Sequence, residues 1–411
     1  MALKLAVSDS ALRIISERKL KRLLVKYLYI NVIINIFRQH SPYFYMVVMI
    51  YSGRIWITKK ERGMSMEALV WTSNHKLELC EWEEPQIAAP DEVKIRIEMT
   101  GVCGTDLAVI TGKEEGVPGV IRGHEAVGTV IQIGSNVDRV KVGDRVVIDP
   151  NQSCDECYFC LKKQPHLCTG IDGNGMPIAG LNRNGTFTFF YSTAQTFAHR
   201  LPDHMSWETG VLIEPLACVL HNFKEANVTA DDKVLILGSG PMGLLSQIVS
   251  KSKSALTVAT EVNPYRLAFA REISDFALTP AQLNQATVDK ICAGHKFDVI
   301  IDTVGTQLEM AEKWIERGGR IVPFGINAKY RYTFSPTKFV QHAIKIIAAG
   351  EYRYMFEEAL RFAAETPEME KLVTRKVKLS EHEAAIDELI GYELNSLKVV
   401  GSETVKTVFV P

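Results

Sequence analysis

A short apolar run followed at once by three spaced glycines constrains this chain more than any other feature. Val234-Leu235-Ile236-Leu237 reads as a buried parallel strand. Gly238-Ser239-Gly240-Pro241-Met242-Gly243 follows, then a helical apolar pattern through Val249. Between strand and helix, such glycines let backbone N–H groups and a helix N-terminus meet a pyrophosphate. The next predicted strand, Ala255–Thr260, ends at Glu261, 18 residues past Gly243. A carboxylate there accepts hydrogen bonds from ribose hydroxyls and repels a 2′-phosphate, which favours NAD over NADP. Arg266 points both ways, either answering a phosphate or lying on a solvated helix face. Phe297–Val304 and Arg320–Phe324 supply two more buried strands, the first running into Asp302-Thr303-Val304-Gly305 at the ligand-binding edge of the sheet. Gly238, Gly240, Pro241, Met242, Gly243, Glu261, Arg266 and Thr303 are therefore the candidate cofactor-binding residues.

Of eight cysteines, four form Cys154-x2-Cys157-x2-Cys160-x7-Cys168. Two-residue gaps let neighbouring thiolates converge on one tetrahedral ion, and the fourth closes the loop. Disulfides at that spacing would be strained, and nothing else suggests an oxidising compartment. The expectation is a structural zinc lobe, with an iron–sulfur cluster as the competing reading. Cys80, Cys218 and Cys292 read as free thiols.

A second group is more dispersed. Cys103, His124 and Glu125, with Glu214 further on, supply a thiolate, an imidazole and carboxylates, the donor types of a catalytic zinc with one position open. Each alone is weak, since a lone cysteine is more often packing and Gly-His-Glu more often a turn. Their order and context strengthen the joint reading.

Those contexts are Gly101-Val102-Cys103-Gly104-Thr105-Asp106, Gly123-His124-Glu125-Ala126-Val127-Gly128, Val142-Gly143-Asp144-Arg145-Val146 and Glu214-Pro215-Leu216-Ala217. With the four-cysteine lobe they make residues 66–411 resemble a zinc-dependent medium-chain alcohol dehydrogenase of the sorbitol/polyol branch. The resemblance implies an α/β protein: a β-rich GroES-like catalytic domain at 64–215 and 350–411, and a doubly wound parallel-sheet Rossmann domain at 216–349. It implies two Zn2+ per chain, one on Cys103, His124 and Glu125, with Glu214 behind those ligands or exchanging with them. It places Thr105 to take the hydroxyl proton of the substrate. Where many relatives carry a histidine relay, this chain has Ala108. Gly350-Glu351-Tyr352-Arg353-Tyr354 resembles the Gly-x-Phe-Arg-Tyr segment of sorbitol and xylitol dehydrogenases, whose arginine lies at the polyol site. Val109 and Gly185-Thr186-Phe187-Thr188-Phe189-Phe190 depart from that branch, leaving threonine, simple alcohols and polyol phosphates as alternatives. A cytoplasmic homodimer or homotetramer acting on a small-molecule alcohol is the implied setting.

Charge separates the chain into two kinds of sequence. Overall it carries 47 basic and 48 acidic side chains, which argues against general nucleic-acid binding. Residues 1–63 nevertheless hold 12 basic and 3 acidic side chains. Their apolar runs, Tyr27–Phe37 and Tyr43–Tyr51, are too short to span a bilayer. Lys59-Lys60-Glu61-Arg62-Gly63, just before Met64 and Met66, is encodable by almost uninterrupted purines, as a ribosome-binding site would be. The expectation is that 1–63 is a non-native extension from an early start codon, with an organelle-targeting peptide as the alternative.

Overall fold

The computed structural model describes residues 44–51, 54–61, 64–394 and 403–411. Two compact units result, Met1–Ser65 and Met66–Pro411. In the first, Phe44–Tyr51 and Arg54–Glu61 pair as an antiparallel hairpin. The rest of the expected extension, including its basic run, lies outside the described residues.

In the second unit, apolar strands of two kinds make two large sheets. Leu235, Ile236, Val258, Val299, Ile300 and Ile301 are all fully buried, as continuous apolar runs require when helices cover both faces. They belong to a parallel six-stranded sheet. Its spatial order is Phe276–Leu278, Leu256–Thr260, Lys233–Leu237, Phe297–Asp302, Ile315–Pro323 and Lys345–Ile346. The order turns back at Lys233–Leu237, so the crevice for a ligand opens at that strand's carboxyl end. The helix Pro241–Lys253 starts there. The predicted strand at Arg320–Phe324 proves longer, beginning at Ile315, because it pairs with Phe297 before a bulge.

The other large sheet is seven-stranded and mostly antiparallel. At its centre Glu92–Gly101 pairs with Glu125–Ile133, Phe190–Ala194 and Lys406–Val410. Lys406–Val410 also pairs in parallel with Val373–Lys378. One apolar core joins this sheet to the parallel one, with Met99, Val127 and Val147 packed in the same cluster as Leu216, Leu244 and Phe356. Among the described residues, no helix is long and apolar enough to cross a membrane.

Candidate active site and cofactor cleft

Gly101 lies opposite Glu125 in the central strand pair. A Cβ on Gly101 would stand 2.1 Å from Glu125 Oε2 and 2.9 Å from Lys406 Cε, so only glycine leaves room for that carboxylate and its partner. Two residues on, Cys103 begins the helix Gly104–Ile110. Asp106 fixes that start: its Oδ2 accepts from Cys103 N at 3.1 Å, and its Oδ1 accepts from Arg122 Nε at 3.2 Å. Arg122 and Asp106 are both almost wholly buried. The pair thus ties the cysteine's helix to the segment just before His124.

The result is convergence. Ligand atoms of Cys103, His124 and Glu125 all lie within 4.8 Å of one another. His124 Nδ1 is buried with no hydrogen-bond partner, and Thr105 Oγ1 stands 3.4 Å from His124 Nε2. Glu214 is buried beside the three, feeling the charges of His124, Glu125 and Cys103, but is not among the converging atoms. Burial first, then the Glu125 and Cys103 charges, push the Glu214 carboxyl well above its ordinary range, with His124 opposing. Burial and the Glu125 carboxylate likewise push the Cys103 thiol up to about 12. Such a donor set calls for a cation, and thiolate, imidazole and carboxylate together suit zinc.

Lys406 was not singled out by sequence reasoning. Its ammonium pairs with Glu125 Oε2 and donates to Val102 O at 3.0 Å. Burial alone would lower it, yet Glu125 and Cys103 hold it above its usual value. Nothing local in the sequence marks this lysine, which reaches the site only through strand pairing across the sheet.

The four-cysteine lobe is self-contained. Cys154 Sγ lies 3.5 Å from Cys168 Sγ and 4.0 Å from Cys160 Sγ. Those spacings are far beyond a disulfide and match the roughly 3.8 Å edge of a tetrahedron with Zn–S bonds of about 2.3 Å. Backbone N–H groups of Cys157 and Gly170 point at Cys154 and Cys168 sulfurs, both at 3.3 Å. Backbone donors lower the Cys157 thiol to about 5, whereas burial raises Cys160 to about 12.

In the parallel sheet, a cavity of about 420 Å³ is lined by Gly238, Gly240, Glu261, Arg266 and Thr303, and by Lys113 from the β-rich part. Gly243 sits against the first glycine, where a Cβ would meet Gly238 O at 2.2 Å. Pro241 and Met242 form the first turn of the helix. Glu261 accepts backbone bonds from Ser239 (2.7 Å), Val262 and Asn263 (both 2.8 Å), which fixes its carboxylate at the cavity wall. Arg266 Nε donates to Thr404 O at 3.1 Å. Thr303 Oγ1 donates to Leu237 O at 2.8 Å, and Asp302 stitches the turn by accepting from Val304, Gly305 and Gln307.

The charge of Arg353 acts on His166 and His221. Its neighbour Tyr352 is buried and donates to Asp149 Oδ1 at 2.7 Å. The charge of Glu351, two residues before Arg353, acts on Glu214.

Comparison with known proteins accords with this layout. The Alcohol dehydrogenase GroES-like domain family matches residues 89–203, and the Zinc-binding dehydrogenase family matches 241–365. A D-altritol 5-dehydrogenase of Agrobacterium fabrum is 30% identical over 302 residues, covering 71% of this chain and 87% of the relative. The chain belongs to the zinc-type alcohol dehydrogenase family. This dehydrogenase is also similar to a D-arabitol-phosphate dehydrogenase of Enterococcus avium, 29% identical over 76% of this chain and 90% of the relative. The crystal structure of the 2R,3R-butanediol dehydrogenase of Bacillus subtilis superposes with a TM-score of 0.71 at 26% identity, covering 84% of this chain and 100% of that one. The dehydrogenase is an oxidoreductase, and its fold is the GroES-like and parallel-sheet combination of that family.

Proposed function

We propose that this dehydrogenase oxidises a secondary alcohol of a sugar alcohol, of sorbitol or xylitol type, to the ketone with NAD. The convergence of Cys103, His124 and Glu125 carries the reading. Two relatives named for altritol and arabitol phosphate support the substrate class. Cys103, His124 and Glu125, with Glu214 adjacent, would hold one zinc, and Cys154, Cys157, Cys160 and Cys168 the other. When bound, the first zinc supplies a Lewis acid for an alcohol oxygen and the nicotinamide supplies the hydride acceptor.

The chain's own groups do the rest. The Thr105 hydroxyl takes the substrate proton. With Ala108 on the relay position, that proton leaves by water. Asp106 and Arg122 hold the cysteine's helix against the histidine's segment, and Lys406 neutralises the buried Glu125 charge. Glu261 accepts from the adenosine ribose hydroxyls, and its carboxylate would repel a 2′-phosphate. Gly238, Gly240, Pro241, Met242 and Gly243 admit the pyrophosphate, with Thr303 shaping the far wall. Arg266, bonded to Thr404 O, is the group a 2′-phosphate would need to recruit. The catalytic part would comprise 64–215 and 350–411, the cofactor part 216–349. A cytoplasmic homodimer or homotetramer is the expected form.

Metal analysis together with NAD and NADP reduction across neutral polyols, simple alcohols, threonine and sugar phosphates tests this. Two zinc per chain and turnover on sorbitol or xylitol with NAD is the expected result. One zinc or none, with no turnover, overturns it.

A further inference from the structure

The wall of the cofactor cavity is not made by the parallel-sheet part alone. Lys113, from the β-rich part, lines the same space of about 420 Å³ as Gly238, Gly240, Glu261 and Arg266. It is half-buried there. A lysine so placed lays its stem along the wall and keeps its ammonium for water or an anion.

Backbone bonds fix where Lys113 stands. The helix Gly104–Ile110 ends in a turn where Thr111 Oγ1 donates to Leu107 O at 2.7 Å and Gly112 N to Val109 O at 3.1 Å. Gly112 has φ +68°, a left-handed conformation that glycine takes at no steric cost. The chain then folds back on the helix end, so that Lys113 N and Glu114 N both donate to Ala108 O, at 2.8 and 3.1 Å. The turn therefore continues the helix that Cys103 begins.

The other charged groups of the cavity are tied to the protein. Three backbone N–H groups hold the Glu261 carboxylate, and Arg266 Nε donates to Thr404 O. A dinucleotide brings two negative phosphates. The turn Gly238-Ser239-Gly240-Pro241-Met242-Gly243 offers them N–H groups and a helix start, but no side-chain cation.

We propose that Lys113 binds the cofactor's pyrophosphate, supplying from the β-rich side the charge that the glycine turn lacks. The inference rests on the nucleotide-cofactor reading above and deepens it with a residue from outside the strand–glycine–helix motif. A lysine meets phosphate as a point charge, without the planar match an arginine needs. One such charged hydrogen bond at a half-buried wall raises affinity about tenfold. Because Lys113 is anchored on the end of the helix that carries Cys103 and Thr105, the same contact ties the seated cofactor to that helix.

The test uses zinc-loaded enzyme, with bound NADH followed by fluorescence and displaced by two competitors. ADP-ribose keeps the pyrophosphate and adenosine lacks it. Wild type, Lys113→Met and Lys113→Arg are compared, and circular dichroism confirms that each folds. The expected result is that Lys113→Met weakens ADP-ribose about tenfold and leaves adenosine unchanged. Lys113→Arg, which keeps the charge, should restore most of the loss. Equal weakening of both competitors, or of neither, overturns the proposal while the cofactor reading stands. Adenosine 2′-phosphate is measured alongside, and a larger loss for it than for ADP-ribose also overturns the proposal by assigning the lysine to a 2′-phosphate. Wild type that binds neither NADH nor NADPH overturns the cofactor reading itself, and the proposal with it.

Discussion

The two candidate metal sites of this dehydrogenase are built by opposite strategies. The lobe gathers four sulfurs from one short stretch, Cys154 to Cys168, and orients them with neighbouring backbone N–H groups. The Cys103, His124 and Glu125 set draws on the end of one strand, the start of another and the helix between them in sequence, then adds Lys406 from a third strand. A local set depends on its own loop. A distributed set depends on the register of the whole sheet, and is correspondingly open to failure far from the metal.

The largest expected effect separates the sites by chemistry. His124→Ala should lower turnover by about 10³-fold or more while the lobe keeps its zinc, so metal content falls by one equivalent without loss of fold. Metal analysis with steady-state kinetics checks this; loss of both ions together would mean the two sites are not independent.

Next comes dependence on sheet register. Lys406→Met leaves Glu125 buried without its partner and should cost about 3–5 kcal/mol of stability. Denaturant unfolding measures it, and a loss as small as that of an exposed ion pair would show that Glu125 does not need the lysine. Lys406→Arg should recover most of the loss. Cys168→Ser in the lobe should cost less, about 2–4 kcal/mol, and remove one zinc while leaving kcat per folded molecule nearly intact.

The smallest effect lies outside both sets and gives the background against which they are read. His199 packs on Phe356 with ring centroids 4.9 Å apart, and burial lowers its pKa from 6.5 to about 4. A depressed folded-state value means stability fully present above pH 6.5 and lost as pH falls towards 4, by at most about 3 kcal/mol. His199→Phe should flatten the melting-temperature profile across that window. A profile identical to wild type would show that His199 does not titrate as its burial implies.

The same contrast explains what could be read from the sequence. Strand–glycine–helix and closely spaced cysteines are local patterns, and local geometry follows from local spacing. The parallel strands around Val234–Leu237 were legible because a strand buried on both faces is apolar throughout. The converging donors were legible only in aggregate, through motifs a resemblance had already joined. Lys406 was not legible, since a lysine in Lys406–Val410 looks like any sheet lysine until strand pairing brings it to Glu125.

Lys406 has one more consequence, in the order of synthesis. The lobe's four cysteines, 14 residues from first to last, leave the ribosome close together. Glu125 must wait for a lysine made near the other end of the sequence before its charge is neutralised. A nascent chain therefore passes through a long interval with the lobe's four sulfurs all present and the Cys103, His124 and Glu125 set still without its lysine.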